Sequence, residues 1–364
     1  MTSTGQPLQE SPEHVRISLA AAMTLGYEPG LFYRDARLYC INLLLTYGSG
    51  CVARCAYCGL SSDRDTSDAE GSSFIRVKWP THELDDVVGR IAERSDAIHR
   101  VCVAMVTARR ALSDAEEICR RLRSATNVPV SVLVTPTILR DGDLLRLRDA
   151  GADKIGVAID LATAELFDRY RGSGVKGPHE WDRYWGCYEE ALEVFGESNA
   201  GVHLMVGMGE TEEEMCQVIQ RSRDLGGLTH LFSFFPECGS RMERDRPPDA
   251  GQYRRVQLAR YLIDTGRARE QDFRYGPDAT LASFGLPPEE LEAVISSGEP
   301  FRTSGCTGKT DEVACNRPYA NSRPGPNLRN YPFPPDDDDL RRIRRQLSRT
   351  LQVGETASSS QSLA

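Results

Sequence analysis

The sequence predicts an α/β protein of alternating strands and helices, closed as a partial or full (β/α) barrel or left open as a doubly wound sheet, with a cysteine-containing extension behind it. Three observations carry this. Six strand–helix units follow one another between about Leu38 and Thr265, and such alternation implies parallel strands with right-handed crossovers. The first strand, Leu38–Tyr47, is a nearly continuous apolar run, which marks burial on both faces. After about Asp272 the periodicity stops, and Phe301–Pro335 is crowded with Gly, Pro, Asn and Arg.

Taken in order, residues 1–15 are rich in Ser, Thr, Gln and Pro and read as a flexible leader. Residues 16–270 form the barrel with its lead-in. After the first strand come helix Thr81–Ala97, strand Arg100–Thr107 and helix Ser113–Ala125, where Ser113 and Glu116 are spaced as a capping box. Strand Val130–Thr135 and helix Asp141–Ala150 follow, then strand Lys154–Ile159 and helix Pro178–Phe195. Strand Val202–Val206 feeds helix Glu212–Leu225, and strand Leu231–Phe235 feeds helix Gly251–Thr265. Residues 271–335 are the extension: a loop at Gly276–Ser283, a short helix at Pro287–Ser297, then irregular chain. Residues 336–364 are an exposed helix, Leu340–Leu351, led by Asp336–Asp339, and a disordered Ser/Gln-rich tail from Glu355. No G-x-G-x-x-G follows the first strand, which weakens a dinucleotide-binding sheet. In either closure, chemistry belongs at the C-terminal ends of the strands.

Composition narrows the function. A chain of 364 residues, 40% hydrophobic and 27% charged, can bury a sizeable core, so wholesale disorder is excluded. No apolar run approaches the roughly 18–20 residues that span a bilayer, and Met1–Glu13 has no signal-peptide core. A net charge of −9 argues against a broad nucleic-acid surface. The expectation is a cytoplasmic protein with neither membrane nor nucleic acid among its partners. In a reducing compartment, its eleven cysteines suggest metal or redox chemistry more than disulfides.

The strongest signal is Gly50-Cys51-Val-Ala-Arg-Cys55-Ala-Tyr57-Cys58-Gly59, directly after the first strand. Three thiolates so spaced can ligate three irons of a [4Fe–4S] cluster and leave the fourth open, unlike four-cysteine electron carriers. A zinc site is the alternative, as are three unrelated buried cysteines. Zinc, however, usually needs a second Cys pair or histidines, and the six histidines are scattered.

This motif, with aromatic Tyr57 before the third cysteine, resembles that of the radical S-adenosylmethionine (SAM) superfamily over roughly Leu38–Phe235. The resemblance implies a full or partial (β/α) barrel, a [4Fe–4S] cluster on Cys51, Cys55 and Cys58, and SAM bound at the open iron. An electron, from a donor such as flavodoxin or ferredoxin, then cleaves SAM to a 5′-deoxyadenosyl radical. Gly156-Val-Ala-Ile-Asp160-Leu-Ala-Thr163 resembles the N-L-D-T segment of biotin synthases, which assigns Asp160 to the SAM ribose; an Asp capping the next helix is the bland alternative. Val206-Gly207-Met208-Gly209-Glu210-Thr211 resembles their V-G-L-G-E-T stretch, which sets Gly207 and Gly209 against adenine with Met208 as packing; a plain strand–helix turn explains it equally. The family's G-G-E element for the methionine amine has no counterpart at Val106–Arg109, so the methionine shell is unassigned.

The other cysteines divide. Cys119, Cys187 and Cys216 fall within helices and read as core. Cys306 and Cys315, in Ser304-Gly-Cys306 and Cys315-Asn-Arg-Pro-Tyr319, lie in chain too polar to need thiols for packing and suggest ligands of a second iron–sulfur cluster, with a pair of exposed loop thiols as the bland alternative. Cys40 and Cys102 are further candidates, as are Cys238 and Ser304. Cys102 lies where biotin synthases hold a sulfur-donating cluster, but their other cluster cysteines are absent from Val130–Thr135 and Val202–Val206. Arg317, Arg323 and Arg329 read as solvated loop charges, with anion binding as the alternative. The C-terminal segment resembles biotin-synthase-related enzymes, including two-component lipoyl synthases. That implies sulfur insertion at an unactivated carbon of a small-molecule or carrier-bound substrate. A radical mutase, dehydrogenase or C–C bond-forming enzyme is the second hypothesis, and a non-catalytic metal scaffold the third.

Overall fold

The structure, a computed structural model, describes residues 9–64, 73–318, 325 and 327–358. Along the chain come β1 (His14–Ile17), α1 (Leu19–Thr24), β2 (Cys40–Leu45), β3 (Ser73–Phe74), β4 (Val77–Lys78), β5 (Thr81–Glu83) and α2 (Leu84–Glu93). Then follow β6 (Arg100–Ala104), α3 (Ala111–Ala125), β7 (Val130–Val134), α4 (Asp143–Asp149), β8 (Ala152–Asp160), α5 (Ala164–Arg171) and α6 (Trp181–Phe195). The second half holds β9 (Ala200–Val206), α7 (Glu212–Asp224), β10 (Leu228–Ser233), α8 (Ala250–Asp264), β11 (Arg274–Tyr275), β12 (Leu281–Ser283), α9 (Pro288–Ser297) and α10 (Asp337–Ser358).

One sheet has the order β10-β9-β8-β7-β6-β2-β1-β5. Its strands β2 and β6 to β10 are parallel and sequential neighbours, which is the winding of a barrel rather than of a sheet that reverses at a switch point. Strand β1 adds antiparallel to β2, and β5 to β1. β5 and β10 therefore stand as the sheet's ends, so the architecture is a partial (β/α) barrel. Every expected strand is present. Val101, Val103, Val130, Val132, Val157, Val202 and Leu204 are completely buried, the outward-facing half of each strand packing under helices.

Several expectations need correction. The leader stops earlier than residue 15: β1 begins at His14, and Ser11 bonds Thr46, the hydroxyl accepting from its backbone N–H at 3.0 Å. Ser113 caps nothing, because α3 begins at Ala111 after Arg110. The capping box is instead on α7, where Thr211 and Glu214 satisfy each other's backbone N–H groups. Helix α5 was not foreseen; Thr163 starts it by accepting from Leu166 N–H at 3.2 Å. Gly276–Ser283 is no plain loop, since Leu281–Ser283 pairs with Arg274–Tyr275. Helix α10 runs past Leu351 to Ser358; residues 359–364 of the expected tail lie outside the described residues.

The extension is docked against the barrel. Asn316 is the clamp: its amide donates to the carbonyls of Arg37 at 2.6 Å and Pro332 at 3.3 Å, and its oxygen accepts from Tyr39 N–H at 3.2 Å. Arg100, the first residue of β6, is fully buried, donates to the Thr307 carbonyl, and grips Asp153 through two bonds of 2.6 and 2.8 Å. Ser304 Oγ accepts from Leu231 N–H at 2.8 Å. These contacts set residues 302–318 against the N-terminal ends of the strands, opposite the loops where a barrel keeps its site.

A candidate active site with thiols at both ends of the barrel

A cavity of about 280 Å³ runs through the barrel. Cys51, Cys55 and Cys58 line its upper end, at the C-terminal mouth of the strands. Their loop leaves β2 and is tied down by two backbone bonds, Val52 N–H to Thr107 O at 3.0 Å and Ala56 N–H to Tyr170 O at 2.8 Å. Burial pushes the Cys55 thiol up to about 11 and raises that of Cys58 well above its ordinary value. Such thiols are protonated in the metal-free chain. Among the described residues, no three His, Cys, Asp or Glu side chains converge on a single ion position. Cys51, Cys55 and Cys58 supply three thiols, one short of a structural zinc site and the number that leaves one iron of a four-iron cluster open.

Asp160 ends β8 in the left-handed region, φ +66°, which turns its carboxylate back into the cavity. Its Oδ2 accepts from Tyr57 OH at 2.6 Å and from Arg171 Nη1 at 3.0 Å. It does not cap the next helix, as Thr163 does that. Arg171, the last residue of α5, is buried at 5% exposure; it also donates to the Ala158 and Ile159 carbonyls and, at 3.2 Å, to Tyr184 OH. Sequence reasoning missed both α5 and its arginine. The available signal was Thr163 followed by Leu166, Phe167 and Tyr170 at helical spacing.

The glycine turn after β9 is placed differently from the expectation. Gly207, Met208 and Gly209 do not line the cavity. Gly207 has φ +99°, and a Cβ there would meet Pro248 at 2.5 Å, so packing against Pro248 already demands glycine. The N–H groups of Gly207 and Met208 donate to the Glu210 carboxylate at 2.6 and 2.8 Å, and Met208 is 1% exposed. A strand–helix turn braced by Glu210 accounts for the motif. Burial raises Glu210 to about 7.

At the opposite end the chain brings together four thiols. Cys306 and Cys315 are nine positions apart but adjacent, because residues 307–313 fold back through a Thr307–Val313 bridge and Cys315 N–H reaches Cys306 O at 3.1 Å. Gly305 makes this approach feasible: a Cβ would lie 2.5 Å from the Cys315 carbonyl oxygen. Cys315 shares a hydrogen bond with the Cys40 thiol, which holds Cys315 down and pushes Cys40 up. Burial, and after it the neighbouring Cys315 thiol, raises Cys102 to about 12 and Cys306 to about 11. Cys238 is exposed and not among them, and Ser304 is spent on Leu231. Cys119, Cys187 and Cys216 are core residues of α3, α6 and α7.

Strand register zones the lumen between the two thiol groups. Asn42, Cys102 and Ser131 are paired neighbours at the lower level. One step up, Leu44, Ala104 and Leu133 are paired neighbours, with Met205 and Phe232 paired on the far side, making an apolar middle. His203 and His230, ring centroids 5.3 Å apart, also line the lumen, and burial holds both neutral. Arg317 and Arg329 are buried, not solvated charges: Arg317 lies 3.9 Å over the Phe232 ring, and Arg329 donates to Pro248 O at 3.0 Å. Arg323 and Tyr319 lie outside the described residues.

A parallel barrel with a three-thiol loop at its mouth, and an acid and an arginine beside it, is the scaffold of a cluster-dependent enzyme. Residues 45–221 match the model of the Radical SAM superfamily. That stretch of the chain is a radical SAM domain, with a weaker similarity to biotin synthase. A biotin synthase from Maricaulis maris is 25% identical over 203 residues, 54% of this chain and 51% of the relative; the match thus spans about half the length of that protein. Among solved structures, HydG, a maturase of the [FeFe]-hydrogenase, has a TM-score of 0.49 at 13% identity, over 76% of this chain and 58% of that one. The radical SAM methyltransferase TsrM from Kitasatospora setae has a TM-score of 0.39 at 19% identity, over 61% of this chain and 41% of that one. No helix among the described residues is long and apolar enough to cross a membrane.

Proposed function

We propose that this protein inserts sulfur into an unactivated C–H position of a small-molecule or carrier-bound substrate. The observation that carries the reading is the continuity of the cavity: Cys51, Cys55 and Cys58 line one end, Cys102, Cys306 and Cys315 the other, with apolar side chains between them. A [4Fe–4S] cluster on the first three thiols supplies, with SAM, a 5′-deoxyadenosyl radical. A second iron–sulfur cluster on Cys306, Cys315, Cys102 and Cys40 supplies sulfide. Apolar substrate carbon then belongs in the middle layer.

The chain's own residues do the positioning. Tyr57 and Arg171 both engage Oδ2 of Asp160, which fixes the carboxylate and leaves Oδ1 to accept from a ribose hydroxyl. Leu44, Ala104, Leu133 and Met205 exclude water from the space where a carbon radical must survive. The electron enters from a donor such as flavodoxin or ferredoxin. Anaerobic reconstitution with iron and sulfide should yield about eight irons per chain, from two four-iron clusters. Turnover should give a product heavier by sulfur. A product without added sulfur would favour a mutase, dehydrogenase or C–C bond-forming reaction, and no reductive SAM cleavage under dithionite would leave only a scaffold.

A further inference from the structure

Arg171 is the most deeply placed cation at the upper end of the cavity, and its contacts are lopsided. Nη1 and Nη2 are spent on Ala158 O, Ile159 O, Asp160 and Tyr184, whereas Nε, fully buried, has no partner. A buried N–H left without an acceptor costs about 1–3 kcal/mol, and this one belongs to a side chain that lines the cavity. The chain also fixes where that side chain sits. The 2.8 Å bond from Ala56 N–H to Tyr170 O joins the residue after Cys55 to the residue before Arg171. Arg171 and Cys55 line the same wall of the cavity. The guanidinium and the Cys55 thiol are thus carried by adjoining, directly bonded segments of that wall.

The geometry points to Arg171 as a positioning residue that sets the reduction potential of the cluster held by Cys51, Cys55 and Cys58. This inference rests on the reading that those thiols hold a [4Fe–4S] cluster. One-electron reduction adds a negative charge to the cluster, and a fixed cation beside a ligating sulfur stabilises the reduced form, raising the potential. Asp160 opposes it. The carboxylate is 3.0 Å from Nη1 and partly neutralises the arginine. The ion pair is therefore a balance with two arms, and each arm can be removed separately. Tyr57, which donates to Asp160, keeps the carboxylate on the arginine side of the cavity.

The test is an anaerobic redox titration of the reconstituted holoenzyme without SAM. Dithionite is the electron source, and the reduced cluster is read by electron paramagnetic resonance. Iron and sulfide content of each variant is measured first. Arg171→Gln should lower the potential, Asp160→Asn should raise it, and the double variant should return towards the parent. Each single shift should be about tenfold in the reduced-to-oxidised ratio at fixed potential, 59 mV for a one-electron couple. A merely structural role moves both single variants the same way and makes the double variant worse; that outcome overturns the inference. Potentials unchanged in variants with full iron content overturn it as well. Should Arg171→Gln not fold, Arg171→Lys keeps the charge but loses the Nε–H, and must lower the potential by less than the tenfold of the glutamine variant. Loss of iron binding by the unmutated chain instead defeats the cluster reading itself, a separate result.

Discussion

The two ends of the barrel hold thiols by different means. The upper set sits on one stretch of chain, Cys51 to Cys58, and needs only its own loop and two backbone bonds to be held. The lower set is gathered from β2, β6 and an extension some two hundred residues further on, and depends on Asn316 and Arg100 to bring that extension home. The difference separates local from tertiary assembly. A loop motif survives damage elsewhere in the chain, while a site built by docking is lost with the dock. Free energy locates the weakness: the upper set depends on loop conformation, the lower on buried polar contacts whose removal leaves unpaired partners.

The largest expected effect breaks the comparison directly. Cys55→Ala should abolish reductive SAM cleavage and remove about four irons per chain. The double variant Cys306→Ala/Cys315→Ala should keep SAM cleavage under dithionite and lose the other iron complement. Iron assay and 5′-deoxyadenosine release measure both. If the double variant keeps all its iron, the lower site is not a cluster site; if it loses SAM cleavage, the two ends are not independent.

A smaller effect tests the docking. Asn316→Ala removes three hydrogen bonds and leaves Tyr39 N–H, Arg37 O and Pro332 O without it. At about 1 kcal/mol for each bond, the loss is about 3 kcal/mol. Urea unfolding should show it. Iron should be lost from the lower site while SAM cleavage persists, since Asn316 spends its amide on Arg37, Tyr39 and Pro332.

The same contrast explains what could be read in the sequence. All six parallel strands were legible because burial on both faces writes an apolar run at each one, and the Cys51–Cys58 loop was legible because spacing is a local property. Cys40 and Cys102 could be no more than candidates: each sits in a strand, where a thiol serves the core as well as a lumen, and no periodicity links either to Cys315. Their gathering follows from the fold-back of residues 307–313 and the Asn316 clamp, which are tertiary. Helix α5 escaped because its eight residues are squeezed between Asp160 and Gly172, and Arg171 escaped with it. Glu210 was read as part of a glycine motif, whereas its carboxylate is what braces that turn. Arg317 and Arg329 looked solvated by composition alone; stacking on Phe232 and bonding to Pro248 depend on where the extension lies.

The smallest expected effect separates the two ends by pH. Glu210 braces the turn after β9, at the upper end, and burial raises it from 4.5 to about 7. A carboxyl that binds its proton more tightly in the folded state than in the unfolded chain contributes stability that is complete below about pH 4.5 and is lost as pH rises through about 7. At 1.36 kcal/mol for each unit, the whole contribution is at most about 3 kcal/mol, and only the part lost between pH 5.5 and 8 is measured. The lower end has no matching group among its clamps: Asn316 does not titrate, and Arg100 stays charged throughout this range. Glu210→Gln, which keeps the shape without the charge, should therefore lose this component, its urea midpoint rising relative to that of the parent holoenzyme between pH 5.5 and 8. Asn316→Ala should displace the whole curve and leave its slope unchanged. A Glu210→Gln midpoint that runs parallel to the parent's would assign the pH dependence to another group, and a slope altered by Asn316→Ala would show that the two ends are coupled.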